Sequence, residues 1–161
     1  MSAVSEIMSP KRIVAASARP GLSALDVVGL MARNGVGSVV LVDGEKKPVG
    51  IVTERDILMK VSASNKLAGD IAVEDVMSSP VVTVKAYDSI ETAAAAMAEK
   101  RIKRLVVVEQ DGSLAGVLSA TDIARKLARI LTDDYNRYGS VRVLLDQDGS
   151  VISQKGTSNP Q

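Results

Sequence analysis

The sequence contains no cysteine, no histidine, no phenylalanine and no tryptophan, and aromatic residues make up only 2% of it. These absences exclude a good deal of chemistry. Without thiol or imidazole there is no zinc finger, no cysteine nucleophile, no Ser-His-Asp triad and no imidazole base. A disulfide framework is excluded as well, which suits a reducing compartment. No stretch approaches the roughly 18 uninterrupted apolar residues of a membrane span. The opening MSAVSEIMSPKR lacks the apolar core of a secretory signal, so the expected location is cytoplasmic. An excess of one charge is missing too: 20 basic residues face 19 acidic ones, for a net charge of +1. A dedicated nucleic-acid binder usually shows a strong basic excess and aromatics for stacking.

What is present is a duplicated pattern. The chain has 161 residues, 46% of them hydrophobic, enough for one compact domain or two very small ones. Its core must be built from Val, Ile, Leu, Ala and Met. Displaced by 66 residues, Leu22–Val61 lies over Asp88–Leu127 without a gap, and nine positions are identical: Ser23, Met31, Ala32, Val40, Val42, Gly50, Asp56, Ile57 and Lys60. Within each copy, helical spacing comes first. Ser23–Asn34 places Leu25, Val28, Met31 and Ala32 on one face, and the Ala-rich Ser89–Lys100 opens with Asp88 or Ser89 as N-cap. Apolar runs Val39–Val42 and Leu105–Val108 then read as strands buried on both faces. Polar turns lead to second strands, Val49–Thr53 and Leu114–Ser119, and to helices over about Glu54–Val61 and Thr121–Leu131. A short extended piece after a proline precedes each copy, Arg12–Ala16 and Val81–Val84, and polar Ser62–Ala72 connects the copies. The expected fold is mixed α/β (α+β): two β-α-β-β-α repeats, residues 1–64 and 65–131, with an extension over 132–161. Each repeat falls short of the roughly 70–80 residues an independent core needs, so the two should pack together.

Two motifs stand at the strand-to-helix junctions, Gly50-Ile51-Val52-Thr53-Glu54-Arg55-Asp56 and Gly116-Val117-Leu118-Ser119-Ala120-Thr121-Asp122. Each sets a hydroxyl and a carboxylate three residues apart where a helix begins. That spacing is the capping-box signature, in which the pair satisfies orphan helix N–H groups. It also suits a nucleotide: free N–H groups and the helix dipole attract phosphate, and a carboxylate accepts from ribose hydroxyls. Both readings can hold at once.

The Val-rich strand, the turn and the Gly-h-h-Thr/Ser-x-x-Asp-Ile motif, present twice, resemble a tandem pair of cystathionine-β-synthase (CBS) domains, a Bateman module, over about residues 8–131. The resemblance implies repeats packed through their sheets with pseudo-twofold symmetry and two clefts between them. It gives Asp56 and Asp122 the ribose diol of one cleft each. Thr53 and Ser119 would hold ribose or phosphate, joined by Arg55 and Thr121. Adenine would meet Val81, Val82 and Thr83 in one cleft and the region of Ile13 and Val14 in the other. Ile102, Lys103 and Arg104 open the second central strand, where similar proteins carry phosphate-binding basic residues. An Arg fork and a Lys point charge suit phosphate, and a solvated strand-edge pair is the plainer alternative. Gly37 and Ser38 stand at the equivalent places of the first copy and supply no charge, so the clefts should be unequal. Lys103 and Arg104 are assigned to the cleft of Thr53, Arg55 and Asp56.

The remaining features read as structure. Met31, Met59, Met77 and Met97 are core filler, and Glu91 and Glu99 are exposed helix charges. No catalytic residues, metal site or required cofactor emerge, and no enzyme is expected. In the extension, Val141–Leu145 and Ser150–Ile152 flank Asp146-Gln147-Asp148-Gly149 as a short hairpin anchored by Tyr135 and Tyr138, and the end GTSNPQ reads as disordered. The leading function is a regulatory sensor of an adenosine ligand (AMP, ADP or ATP, with S-adenosylmethionine or NAD as alternatives), homodimeric and acting on a partner protein. A structural dimerisation module with vestigial clefts is one alternative. The other is a nucleic-acid-binding regulator using Lys103, Arg104, Arg125, Lys126 and Arg129.

Overall fold

The computed structural model describes residues 2–8 and 13–147. Up to Ile123 the chain forms one compact unit containing two three-stranded sheets. In the first, β1 (Ala15–Ser17) runs parallel to β2 (Ser38–Val42), which pairs antiparallel with β3 (Pro48–Thr53). In the second, β4 (Thr83–Lys85), β5 (Arg104–Val108) and β6 (Leu114–Ser119) repeat that order and sense. Even the irregularity recurs: the ladder shifts between Leu41 and Val42 and between Val107 and Val108.

The central strands are buried on both faces, as their unbroken apolar runs require. Val39 and Leu41 point into one core, Leu105 and Val107 into another. Val40, Val106 and Val108 form a third cluster between the sheets, flanked by Val42, Ile51, Val81, Leu114 and Val117. Residues related by the repeat meet there, the composition a pseudo-twofold axis produces.

Helices cover the outer faces. Ser23 caps α1 (Ala24–Asn34) in a capping box with Asp26, and Gly35 ends it in the left-handed conformation (φ 60°). Its inward stripe is Ala24, Val27 and Met31, whereas Leu25 is 56% exposed. The helix is thus rotated from the Leu25–Val28 face expected from sequence, because small Ala24 allows the closer approach to the sheet. Ser89 rather than Asp88 caps α4 (Ile90–Lys100), which buries Ala93 and Met97. Helix α2 (Glu54–Asp56) passes at once into a π-turn, Ile57–Val61. Val61 and Ile57 then face the core, and Met59, expected as core filler, is left exposed. Met31 and Met97 are buried, and Met77 packs on the first core.

The leading segment of each repeat lends side chains to the core of the other. A turn over Val4–Glu6 packs Val4 into the second core, and the amides of Val4 and Ser5 donate to the Asp88 and Ala86 carbonyls. Conversely Ile71, Val73 and Val76, around α3 (Val73–Val76), fill the first core. Ala24 N–H donates to the Ile71 carbonyl and Val73 N–H to that of Leu22. Sequence order follows the duplication, but apolar side chains go to whichever core is incomplete.

Helix α5 (Ala120–Gln147) starts in this unit, and from Ala124 onward the chain forms a second unit. Val141–Leu145 are helical there, not the first strand of a hairpin, because the i, i+4 ladder begun at Ala120 meets no proline to stop it. Ser150–Ile152 and GTSNPQ lie outside the described residues. Among the described residues no helix is long and apolar enough to cross a membrane.

Candidate functional site

Both motif carboxylates sit in the capping geometry their spacing allows. Asp56 Oδ2 accepts from Thr53 N (2.8 Å) and Thr53 Oγ1 (2.7 Å), and Asp56 N donates back to Thr53 Oγ1 (3.3 Å). Asp122 matches it with Ser119, at 2.9, 2.6 and 3.2 Å. One oxygen of each carboxylate is therefore spent on the helix start. At Asp56, whose side chain is only 12% exposed, Oδ1 takes a 3.2 Å ion pair from Lys60 Nζ and a 3.3 Å bond from Ser78 Oγ.

Ser78 comes from the leader of the second repeat. Its backbone bridges to Ile51 of β3 in both directions, and Ser79 Oγ donates to the Val49 carbonyl. The leader thus runs along the first sheet before entering β4. Val81 packs between the sheets, Val82 packs on the second core while its carbonyl accepts from Val106 N, and Thr83 is exposed at the start of β4. This brings the leader segment to the Thr53–Asp56 motif.

The strand registers fix the equivalent residues of the first leader. Ala15 pairs with Val40 as Thr83 pairs with Val106. Ile13 and Val14 therefore correspond to Val81 and Val82, and the Val14 carbonyl accepts from Val40 N as Val82 does from Val106 N. Ile13 also reaches the second motif strand: a Cβ on Gly116 would lie 3.5 Å from Ile13 Cδ1. Val14 packs on the first core.

Arg104 is where the two repeats diverge. From the first residue of β5 its Nη2 reaches 3.5 Å from Glu54 Oε2, at the first turn of α2 in the other repeat. Gly37 makes room, since a Cβ there would collide with both Arg104 Nη2 and the Glu54 carboxylate. Arg104 thus reaches the residue that follows Thr53 at the start of α2. Lys103 is tied differently: among the described residues its exposed side chain has no such bond, and its carbonyl accepts from Ala120 N beside the second motif. Ile102 packs on the second core. Arg55 and Thr121 are exposed.

The resulting arrangement is a carboxylate, a hydroxyl and a guanidinium, drawn from two repeats, at a helix start beside an apolar extended segment. Such a set can hold a diol, an anion and a flat apolar ring. Sequence reasoning missed Ser78, Lys60, Glu54 and the spacing role of Gly37. Lys60 did leave a signal, being identical in both repeats (Lys126), but Glu54 at a helix start reads as an ordinary dipole complement.

A family model described as "CBS domain" matches residues 4–63 and again 73–129. The chain belongs to the CBS domain family. An uncharacterised protein of Methanopyrus kandleri is 36% identical over 104 residues, covering 65% of this chain and 53% of that protein, so the chain spans about half of this relative's length. Among solved structures, the CBS domain protein PAE2072 from Pyrobaculum aerophilum, complexed with AMP, has a TM-score of 0.65 at 32% identity, covering 75% of this chain and 89% of that one. The CBS domain pair of protein MJ0100, in complex with 5-methylthioadenosine and S-adenosyl-L-methionine, has a TM-score of 0.69 at 26% identity over 79% and 96%. Each capping box of this chain lies within one of the two matched segments.

Proposed function

We propose that this CBS pair is a cytoplasmic regulatory sensor that binds an adenosine ligand in the cleft of Thr53, Asp56 and Arg104. The observation that carries the reading is Asp56: nearly buried, with Oδ2 fixed by the cap and Oδ1 turned toward the other repeat's leader, where it meets Ser78. A ribose diol would replace Ser78 and Lys60 on Oδ1, and adenine would lie against the Val81–Thr83 segment. Arg104 would exchange the Glu54 carboxylate for phosphate, a closer match of charge and geometry. AMP, ADP and ATP fit this set. S-adenosylmethionine and NAD share the nucleoside, and the complexes of the two relatives with AMP and with S-adenosylmethionine support the class. The first repeat has uncharged Ser38 at the place of Arg104, so a cleft at Ser119–Asp122 would bind phosphate more weakly.

By bridging two repeats the ligand would change their relative angle and so the contact with a regulated partner. A second reading, a homodimerisation module, is favoured by exposed Leu25 (56%), Leu58 (63%), Met59 (60%) and Leu67 (76%) on the first repeat. Calorimetric titration of AMP, ATP, S-adenosylmethionine and NAD, beside Asp56→Ala and Asp122→Ala, separates the two. Binding lost in Asp56→Ala supports the sensor and its cleft. No binding of any ligand by the folded protein leaves the dimerisation module.

A further inference from the structure

The two repeats differ at their sheet edges, away from the clefts. Each sheet begins with a three-residue edge strand, β1 or β4, hydrogen-bonded on one side. Along β1 the Val14 carbonyl and the Ala18 amide turn toward β2. By alternation the N–H and C=O groups of Ala15 and Ser17 turn outward, and both residues are exposed. No hydrogen bond among the described residues engages these groups.

The second repeat closes the same edge. Lys85, the counterpart of Ser17, donates its N–H to Asp88 Oδ2 (2.8 Å), and its carbonyl accepts from Asp88 N (3.1 Å). Two devices are thus built into one residue there. In the first repeat the matching turn bond, from Leu22 N to the Arg19 carbonyl (3.3 Å), falls two residues beyond the edge strand, and among the described residues no carboxylate reaches the Ser17 N–H. An unpaired edge is a template for a further strand, and proteins usually blunt it.

Beside the open edge lies a groove of about 340 Å³ between β1 and α1, reached by Arg19, Asp26, Leu30 and Arg33. Arg33 folds back along its helix, with its guanidinium over Gly29, where a Cβ would lie 3.2 Å from Nη1. The Asp26 carboxylate is committed to Ser23 N and Oγ, both at 2.9 Å. Two guanidiniums therefore face the groove against one carboxylate already engaged. The second repeat has Glu99 where the first has Arg33.

We propose that this groove receives an extended acidic peptide segment of a partner protein. The segment adds as a strand to the β1 edge through Ala15 and Ser17 and sets carboxylates against Arg19 and Arg33. Main-chain pairing supplies general affinity, and the side chains on alternate positions supply selection. Leu22 and Leu30 give the groove an apolar floor, so the fitting pattern alternates acidic and aliphatic residues. The docking surface is separate from the Asp56 cleft and does not depend on what that cleft binds.

The test uses the full chain and a fluorescein-labelled peptide of three Glu-Val repeats, read by anisotropy. Saturable binding is expected, weakened about tenfold or more in the Arg19→Glu/Arg33→Glu variant and by added salt. Methylating alternate backbone nitrogens of the peptide removes its pairing donors without touching the protein, and should abolish binding. No saturable binding, or equal binding by the charge-reversed variant or the methylated peptide, overturns the proposal. Displacement of the peptide by an equal concentration of glutarate overturns it also, by making the groove a small-anion pocket.

Discussion

Replacing Asp56 by Ala should cost the protein both stability and its ligand, and the two losses can be separated. The substitution removes the acceptor of Thr53 N and Thr53 Oγ1, at 2.8 and 2.7 Å, and of Ser78 Oγ at 3.3 Å. A typical intramolecular hydrogen bond contributes about 0.5–1.5 kcal/mol net. The Lys60 pair adds less than about 1 kcal/mol, because its lysine side chain is 40% exposed. The 3.3 Å bond is long and Thr53 can recruit water, so the expected loss is about 2–3 kcal/mol, or roughly 5–10 °C in Tm for a chain of this size. Hydrogen bonds to a charged group contribute about 1.5–3 kcal/mol, so ligand affinity should fall on the order of 10–150-fold. Asp26→Ala is the control, since Asp26 forms the same capping box with Ser23 but on fully exposed α1 surface. It should cost less stability and leave nucleotide affinity unchanged. Differential scanning calorimetry and isothermal titration read the two quantities. An Asp56→Ala protein that melts no lower than Asp26→Ala, or binds the nucleotide as wild type does, would refute the reasoning.

Arg104→Ala should weaken AMP about tenfold, the size of one charge-assisted contact, while adenosine affinity stays the same, as competition titrations would show. Gly50→Ala sets a Cβ against the Met77 sulfur and Cγ and should destabilise by about 1–3 kcal/mol in urea unfolding; Gly116→Ala meets chiefly the tip of Met8 and should cost less. Val106→Ala opens a cavity between the sheets and should lower stability by about 2 kcal/mol without changing secondary structure, measured by circular dichroism. The Asp26 carboxyl is held below its ordinary 3.8 by the Ser23 backbone and side-chain bonds, with smaller help from Arg19 and Arg33. Its stabilisation is therefore complete above pH 3.8 and fades as pH falls through the lowered folded value. The Tm gap between wild type and Asp26→Asn should accordingly narrow on acidification, and a gap that widens would contradict this sign.

Much of the fold could be read locally. Unbroken runs such as Val39–Val42 mark strands with two buried faces, and β2 and β5 indeed send alternate residues to different cores. The hydroxyl-x-x-carboxylate spacing marked both helix starts, because a capping box needs only four consecutive residues. Phase was less legible: a helix with Ala24 and Leu25 adjacent can bury either, and only the approach of the sheet chose Ala24. Glu54–Val61 reads as one α-helix, and nothing in Ile57–Val61 announces the π-turn that exposes Met59. At the far end, alternating Val and Leu around Val141–Leu145 satisfied a strand pattern as well as a helical one, and continuation of α5 decided for helix.

The sequence by itself determined the duplication, the order of elements in each repeat, and the pair of motifs with Asp56 and Asp122 at helix starts. All of these rest on interactions within a few residues or on a repeat period visible in the chain. Tertiary structure alone decided which pieces of the two repeats belong together. Val4 completes the second core, Ile71 and Val73 complete the first, Ser78 reaches Asp56, and Arg104 crosses to Glu54 over the Cα of Gly37. None of these contacts has a sequence period, because they join residues far apart in the chain, 22 positions for Asp56 and Ser78 and 50 for Glu54 and Arg104, whose pairing depends on how two incomplete cores and two facing sheets fill the space between them.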